Sequence, residues 1–128
     1  MIKQAIIPLA GLGTRLLPLT SVIPKELMPI NGKPNLQYIL DECIEAGIKE
    51  FIFIISKNKL SIKKYFFNDS FYKKIIRKKK DKRLIQEFKK LKKYQKMIKF
   101  VYQNKPKGTG DAVLKCKKLI KNNYFLML

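Results

Sequence analysis

The most informative part of the chain is residues 4–20, which read Gln4-Ala-Ile-Ile-Pro-Leu-Ala-Gly-Leu-Gly-Thr-Arg-Leu-Leu-Pro-Leu-Thr20. The apolar run at its start predicts a buried β-strand, and two glycines follow that strand directly. Glycine lets backbone N–H groups come close to a phosphate, and Arg15 places a permanent cation beside them. A glycine pair alone is more often a plain turn. The strand end and the arginine together make this loop a candidate phosphate-binding site.

The loop does not match the common phosphate-binding motifs. A dinucleotide fingerprint would have glycine in place of Leu16 and a helix starting at once, which Pro18 opposes. A Walker loop requires Gly-Lys-Ser/Thr, which the chain lacks here, and the paired lysine and aspartate of a kinase are not found either. Residues outside the glycine loop therefore have to define what this loop binds.

A second candidate cation lies in the segment Ile23-Pro-Lys-Glu-Leu-Met-Pro29. Prolines on both sides stiffen the backbone, so Lys25 is held on a constrained loop rather than on a mobile helix face. An isolated lysine is usually a solvated surface charge. One that is constrained in the same long loop as Arg15 is more typical of anion binding.

Strand and helix patterns alternate along the rest of the chain and predict a doubly wound α/β fold with a mainly parallel sheet. The predicted strands are at 4–9, 51–55, 99–102 and 124–128, and a helix is predicted from Pro34 to Gly47. A lysine-rich helical excursion is predicted at about 57–97; it includes a short helix at 61–67, and helical spacing continues through Leu84, Phe88, Leu91 and Ile98. The last predicted helix is opened by Gly108 and has Leu119 and Ile120 turned inward.

The net charge of +20 resides in the second part of the chain, since residues 1–50 carry five basic and five acidic side chains. All but three of the 29 basic residues are lysines, whereas nucleic-acid surfaces usually use arginine for bidentate contacts. Nucleic acid is therefore not expected as a specific partner, although this charge permits non-specific binding.

Several classes of protein are excluded or disfavoured by composition. The chain has no histidine, so imidazole catalysis and the usual Cys/His zinc sites are excluded. Its two cysteines have no metal-ligand spacing, which favours a reducing, cytoplasmic location. No apolar run approaches the roughly 20 residues needed to cross a bilayer, and no signal peptide is expected before the first strand.

Further short motifs point to one family. They are Ala-Gly-Leu-Gly-Thr-Arg at 10–15, Ile23-Pro-Lys-Glu26, Lys33-Pro34, Gln37-Tyr38, Glu42-Cys43 and Ala46-Gly47-Ile48. In this combination the chain resembles the sugar-nucleotide pyrophosphorylases and, more narrowly, bacterial UTP–glucose-1-phosphate uridylyltransferases. The resemblance covers essentially the whole chain but only the N-terminal, nucleotide-binding part of that family. It implies a truncated Rossmann-like nucleotidyltransferase fold, with residues 1–128 as a partial domain.

The resemblance also implies roles for individual residues. The loop that holds the nucleoside triphosphate corresponds to Leu9, Ala10, Gly11, Gly13, Thr14 and Arg15. Arg15 and Lys25 match the two cations that act on the phosphates during transfer. Gln103 matches a glutamine that binds the uracil edge, and Gly108 a glycine whose backbone lies against the base. Asp111 stands where relatives commonly carry histidine, so a contact made by that side chain does not carry over.

The implied reaction joins UTP and glucose 1-phosphate into UDP-glucose and pyrophosphate. The family uses Mg²⁺, and its metal-binding aspartate is expected beyond Leu128, so no metal ligand is assigned within the chain. The sugar pocket would follow as well, and we expect the chain alone to be weakly active or inactive. The resemblance also allows a homo-oligomer in the full-length family. Two alternatives stay open: another nucleotidyltransferase, such as a thymidylyl type, or a basic module that binds polyanions.

Overall fold

The computed structural model describes residues 1–67, 70–105 and 107–128. In these ranges the strands are β1 (Gln4–Pro8), β2 (Pro29–Ile30), β3 (Lys33–Pro34), β4 (Glu50–Ile55), β5 (Ile98–Tyr102) and β6 (Leu126–Met127). The α-helices are α1 (Asn35–Glu45), α2 (Leu60–Phe67), α3 (Ser70–Lys79), α4 (Lys82–Gln95) and α5 (Thr109–Lys115).

The main sheet has four strands in the order β5-β4-β1-β6, and every neighbouring pair is parallel. Helices cover both faces of this sheet, and the side chains of β4 alternate between the two apolar clusters beneath them. Phe51, Phe53 and Ile55 pack under α1, α2 and α4. Ile52 and Ile54 pack under α5. The doubly wound, parallel α/β fold predicted from the sequence is confirmed.

The helix α4 is joined to α1 by polar contacts as well as apolar ones. The hydroxyl of Tyr94 and the ammonium of Lys33 both donate to the carboxylate of Asp41. Burial of the hydroxyl raises the pKa of Tyr94, and its hydrogen bond to Asp41 raises it further. The tyrosine therefore stays a neutral donor. This contact holds α4 against α1, on the same face of the sheet.

Four local expectations need correction. The lysine-rich helical excursion predicted at about 57–97 contains separate helices, because Asp81 caps a new helix by accepting from the backbone N–H of Arg83 at 2.9 Å. Ile98 belongs to β5 and not to a helix. The last helix, α5, ends before Leu119 and Ile120, although both still pack on the core. The last strand is also shorter than predicted.

The long loop at 10–33 contains the small antiparallel hairpin of β2 and β3, which was not predicted from the sequence.

Glu50, at the amino end of β4, joins three parts of the chain. Gln4 donates to its carboxylate at 2.8 Å, and the ammonium groups of Lys99 and Lys121 lie 3.2 Å from it. Burial alone would raise the pKa of Glu50, but these hydrogen bonds and charges outweigh it and hold the pKa below its usual 4.5. Because the folded pKa is depressed, the stabilisation is present above pH 4.5 and is lost as the pH falls through the folded pKa.

Glu50→Gln should lower the free energy of unfolding by about 0.5–1.5 kcal/mol at pH 7, since it removes a charge-assisted cluster that is partly screened by solvent. In urea unfolding, the difference in free energy of unfolding between the variant and the wild type should become smaller as the pH falls from 5 to 3. Glu45→Gln, at an exposed carboxylate on α1, is the matched control. A loss for Glu50→Gln that is the same at both pH values would contradict this assignment.

Candidate functional site

The candidate site lies at the carboxyl edge of the parallel sheet, where open α/β folds bind their ligands. Pro8 on β1 is paired with Ile54 on β4, and Ile55 with Tyr102 on β5. The backbone continues this pairing just past the strands, since the Leu9 N–H donates to the carbonyl of Ile54 at 2.7 Å. The loops after β1, β4 and β5 therefore leave the sheet side by side.

The glycine loop after β1 is folded back on itself. Gly13 has a φ of +63°, and a Cβ there would meet the Thr20 side chain at 3.1 Å. The Thr20 hydroxyl also donates to the Gly13 carbonyl at 2.7 Å. The fold therefore requires glycine at 13. At Gly11, by contrast, a Cβ would meet no atom of the described residues beyond its chain neighbours within 4 Å, so its backbone faces open space.

The two predicted cations are brought together by this loop. Arg15 lies in a short 3₁₀ turn after the glycines, and Lys25 begins another, Lys25–Leu27. Both side chains are exposed, and both line a surface cavity of about 560 Å³ together with Gly13, Thr14 and Leu16. Two positive groups over one cavity beside exposed backbone amides are suited to holding a polyphosphate.

The position of Lys25 is set by a buried ion pair that the sequence analysis did not identify. The Lys59 ammonium donates to the Glu26 carboxylate at 2.8 Å, with only 6% and 10% of the two side chains exposed. The backbone N–H of Lys59 also donates to the Ser56 carbonyl at 2.9 Å. The turn that carries Lys25 is thus anchored to the segment after β4. Lys59 is one lysine in a lysine-rich segment, so no pattern distinguishes it.

The loop after β5 holds the predicted base-binding residues. Gln103 is 6% exposed, and its Nε2 donates to Asp111 at 3.0 Å and to the Gly108 carbonyl at 3.3 Å. With these two acceptors on its nitrogen, the amide has its oxygen left as an acceptor. Gly108 has a φ of +90°, a backbone conformation that favours glycine.

The predicted site residues fall into two groups along this edge. Gly13, Thr14, Arg15 and Lys25 share the cavity, whereas Gln103 and Gly108 meet beyond β5. Ala10 and Gly11 belong to the loop that follows β1, just before the residues of the first group. Leu9 is 3% exposed and packs in the core. Only its backbone can face a ligand.

Metal ligands are not assembled in this part of the molecule. Within the described ranges no three His, Cys, Asp or Glu side chains come together. The two acidic residues of the site loops are engaged elsewhere, Glu26 with Lys59 and Asp111 with Gln103. The described residues therefore do not fit a Mg²⁺ site. In the same ranges, no helix combines the length and the apolar character required to cross a membrane.

A doubly wound parallel sheet, with a glycine loop and two exposed cations at its carboxyl edge, places the chain in the class of open α/β folds that are related to the Rossmann fold. The chain belongs to the nucleotidyl transferase family, whose model matches residues 4–128.

Within that family the chain is similar to UTP–glucose-1-phosphate uridylyltransferases. It is 42% identical to that of Mycoplasma pneumoniae over 130 residues, covering 99% of this chain and 43% of the relative. It is 40% identical to uridylyltransferase 1 of Staphylococcus saprophyticus, covering 99% of this chain and 44% of the relative. The UTP-bound UGPase structure from Acinetobacter baumannii superposes with a TM-score of 0.91 at 35% identity, covering 100% of this chain and 45% of that one. The sequence-based resemblance is confirmed, and the chain spans less than half the length of these relatives.

Proposed function

We propose that this chain is the nucleotide-binding part of a UTP–glucose-1-phosphate uridylyltransferase. The observation that carries the proposal is the pairing of Arg15 and Lys25 over one cavity beside the glycine loop. The similarity to relatives of that name supports the choice of UTP and glucose 1-phosphate as substrates.

The reaction needs no nucleophile from the protein. An oxygen of the sugar phosphate attacks the α-phosphorus of UTP, the bond to the β-phosphate breaks, and pyrophosphate leaves in line. Such transfers are accelerated by positioning and by charges that stabilise the transferring group. Arg15 would hold the phosphates, and Lys25, fixed by its constrained turn, would act as a point charge where negative charge develops. The absence of histidine is compatible with this chemistry.

Recognition of the base is assigned to Gln103 and Gly108. The free oxygen of the Gln103 amide can accept from N3–H of uracil, whereas adenine has no hydrogen on its ring nitrogen and could reach this oxygen only with its exocyclic amino group. The Gly108 backbone would lie against the base. Leu9, Ala10, Gly11, Gly13 and Thr14 would supply backbone and hydroxyl contacts to the rest of the nucleotide. Mg²⁺, a cytoplasmic location and a homo-oligomer stay predictions from the sequence.

A second candidate function, binding of a polyanion, is favoured by one observation. Most of the lysines of α3 and α4 are exposed, and these helices belong to the part of the chain that carries its excess charge. The resulting field attracts any anionic polymer. Such binding would fall steeply with salt and would not distinguish one nucleoside triphosphate from another.

The first test is a calorimetric titration with UTP and with ATP. UTP should bind more tightly, and Arg15→Ala should weaken it by about 1.5–3 kcal/mol, the range for a charge-assisted hydrogen bond. Arg77→Ala is the matched control, because it removes the same exposed side chain from α3. Equal affinities for UTP and ATP would reject the assignment of the uracil to Gln103 and Gly108. An equal effect of the two arginine variants would favour polyanion binding instead.

A further inference from the structure

Ser56 occupies the middle position at the carboxyl edge of the sheet. It directly follows β4 with φ −110° and ψ 172°, so the extended backbone and its alternation continue through it. Ile52 and Ile54 face α5, and Ser56 therefore faces the same side. Extending the pairing of Pro8 with Ile54 by two residues places Ala10 beside Ser56. Extending the pairing of Ile55 with Tyr102 by one residue places Gln103 on its other side.

The hydroxyl of Ser56 makes no hydrogen bond within the part of the chain that the structure describes. The residue is 8% exposed, and its Oγ is buried without a hydrogen-bond partner among the described residues. Other hydroxyls near the site are engaged, as when Ser21 donates to the Pro18 carbonyl at 2.5 Å. A buried hydroxyl without a partner is costly to a folded chain and calls for an explanation such as a ligand.

We infer that Ser56 is a further base-binding residue whose hydroxyl donates to a carbonyl oxygen of the uracil base. The inference rests on the proposed function and deepens it. The Gln103 amide, held by Asp111 and Gly108, presents its oxygen as an acceptor. Uracil offers N3–H with a carbonyl oxygen on each side. The Gln103 oxygen and the neighbouring Ser56 hydroxyl can therefore bind N3–H and one of the two carbonyl oxygens of uracil.

The test uses Ser56→Ala with two probes, UTP and inorganic triphosphate, and one stability measurement. UTP affinity should fall about tenfold, because the base carbonyl loses its donor. Affinity for triphosphate should stay unchanged, because that probe has no base. The midpoint of urea unfolding of the free chain should stay the same or rise, because the variant deletes a hydroxyl that the fold leaves unpaired. Ser61→Ala, at an exposed serine of α2, is the control.

Three other results would overturn the inference. A Ser56→Ala variant that keeps full UTP affinity shows that the hydroxyl does not contact the base. Parallel losses of UTP affinity, triphosphate affinity and stability show a structural role. A wild-type chain that binds UTP no better than ATP rejects the proposed function itself, and the role of Ser56 fails with it. The wild-type titration separates this last case from the first two.

Discussion

Lys59→Ala is expected to lower the free energy of unfolding by about 3–5 kcal/mol, because it leaves the buried Glu26 carboxylate without its counter-charge. Urea unfolding at neutral pH measures the loss. The same variant should weaken UTP binding, since the turn that carries Lys25 loses its anchor to the segment after β4. Lys57→Ala, two residues away and exposed, should change neither quantity by more than about 0.5 kcal/mol.

A double variant distinguishes the charge from the packing. Glu26→Leu combined with Lys59→Met removes both charges and keeps apolar volume, and such replacements are often neutral or stabilising. Most of the stability lost in Lys59→Ala should therefore return, whereas Lys25 would still lack its polar anchor and UTP affinity should stay reduced. A double variant that is as unstable as the single one would show that the ion pair is not the source of the effect.

Phe53→Ala is expected to cost about 3–5 kcal/mol of stability, because it removes a fully buried ring from the centre of the sheet. The Phe53 ring lies 5.9 Å from that of Phe66 and 5.8 Å from that of Phe100, so its loss leaves a cavity between α2 and β5. Phe67→Ala, at a ring that is 39% exposed, is the control and should cost clearly less in the same unfolding experiment. Equal losses for the two variants would contradict this description of the core.

The sheet could be predicted because its physical signals are local and strong. A continuous apolar run at 51–55 is typical of a strand covered on both faces, and it became the buried centre of the sheet. The helical spacing of Leu36, Leu40 and Cys43 likewise corresponds to the buried face of α1. These patterns depend on burial, which a sequence records directly.

Some missed features did leave a signal in the sequence. Asn31 and Gly32 both have positive φ, at 54° and 77°, and Asn-Gly is a strong hairpin signal that indicates the turn between β2 and β3. Asp81 ahead of Lys82-Arg-Leu84 could likewise have indicated a helix start. Ile98 was misleading, because it continued the helical spacing by coincidence into β5.

The supporting contacts of the site could not be predicted. Arg15, Lys25, Gln103 and Gly108 were assigned from motifs, and their contacts with a nucleotide stay predictions. The ion pair of Lys59 with Glu26 joins residues 33 positions apart, and nothing in the sequence singles out that lysine. The unpaired hydroxyl of Ser56 is visible only when the strands are aligned, since its meaning comes from the neighbours that the sheet places beside it.

Binding of UTP at the carboxyl edge of the sheet can be tested by mapping amide chemical shifts during a UTP titration by NMR. The proposal predicts saturable shifts in residues 9–15, at Lys25 and Ser56, and at Gln103 and Gly108, with α3 and α4 unaffected at moderate salt. Shifts spread over the lysines of α3 and α4, reproduced by ATP and abolished by added salt, would contradict the account and show a polyanion-binding surface instead.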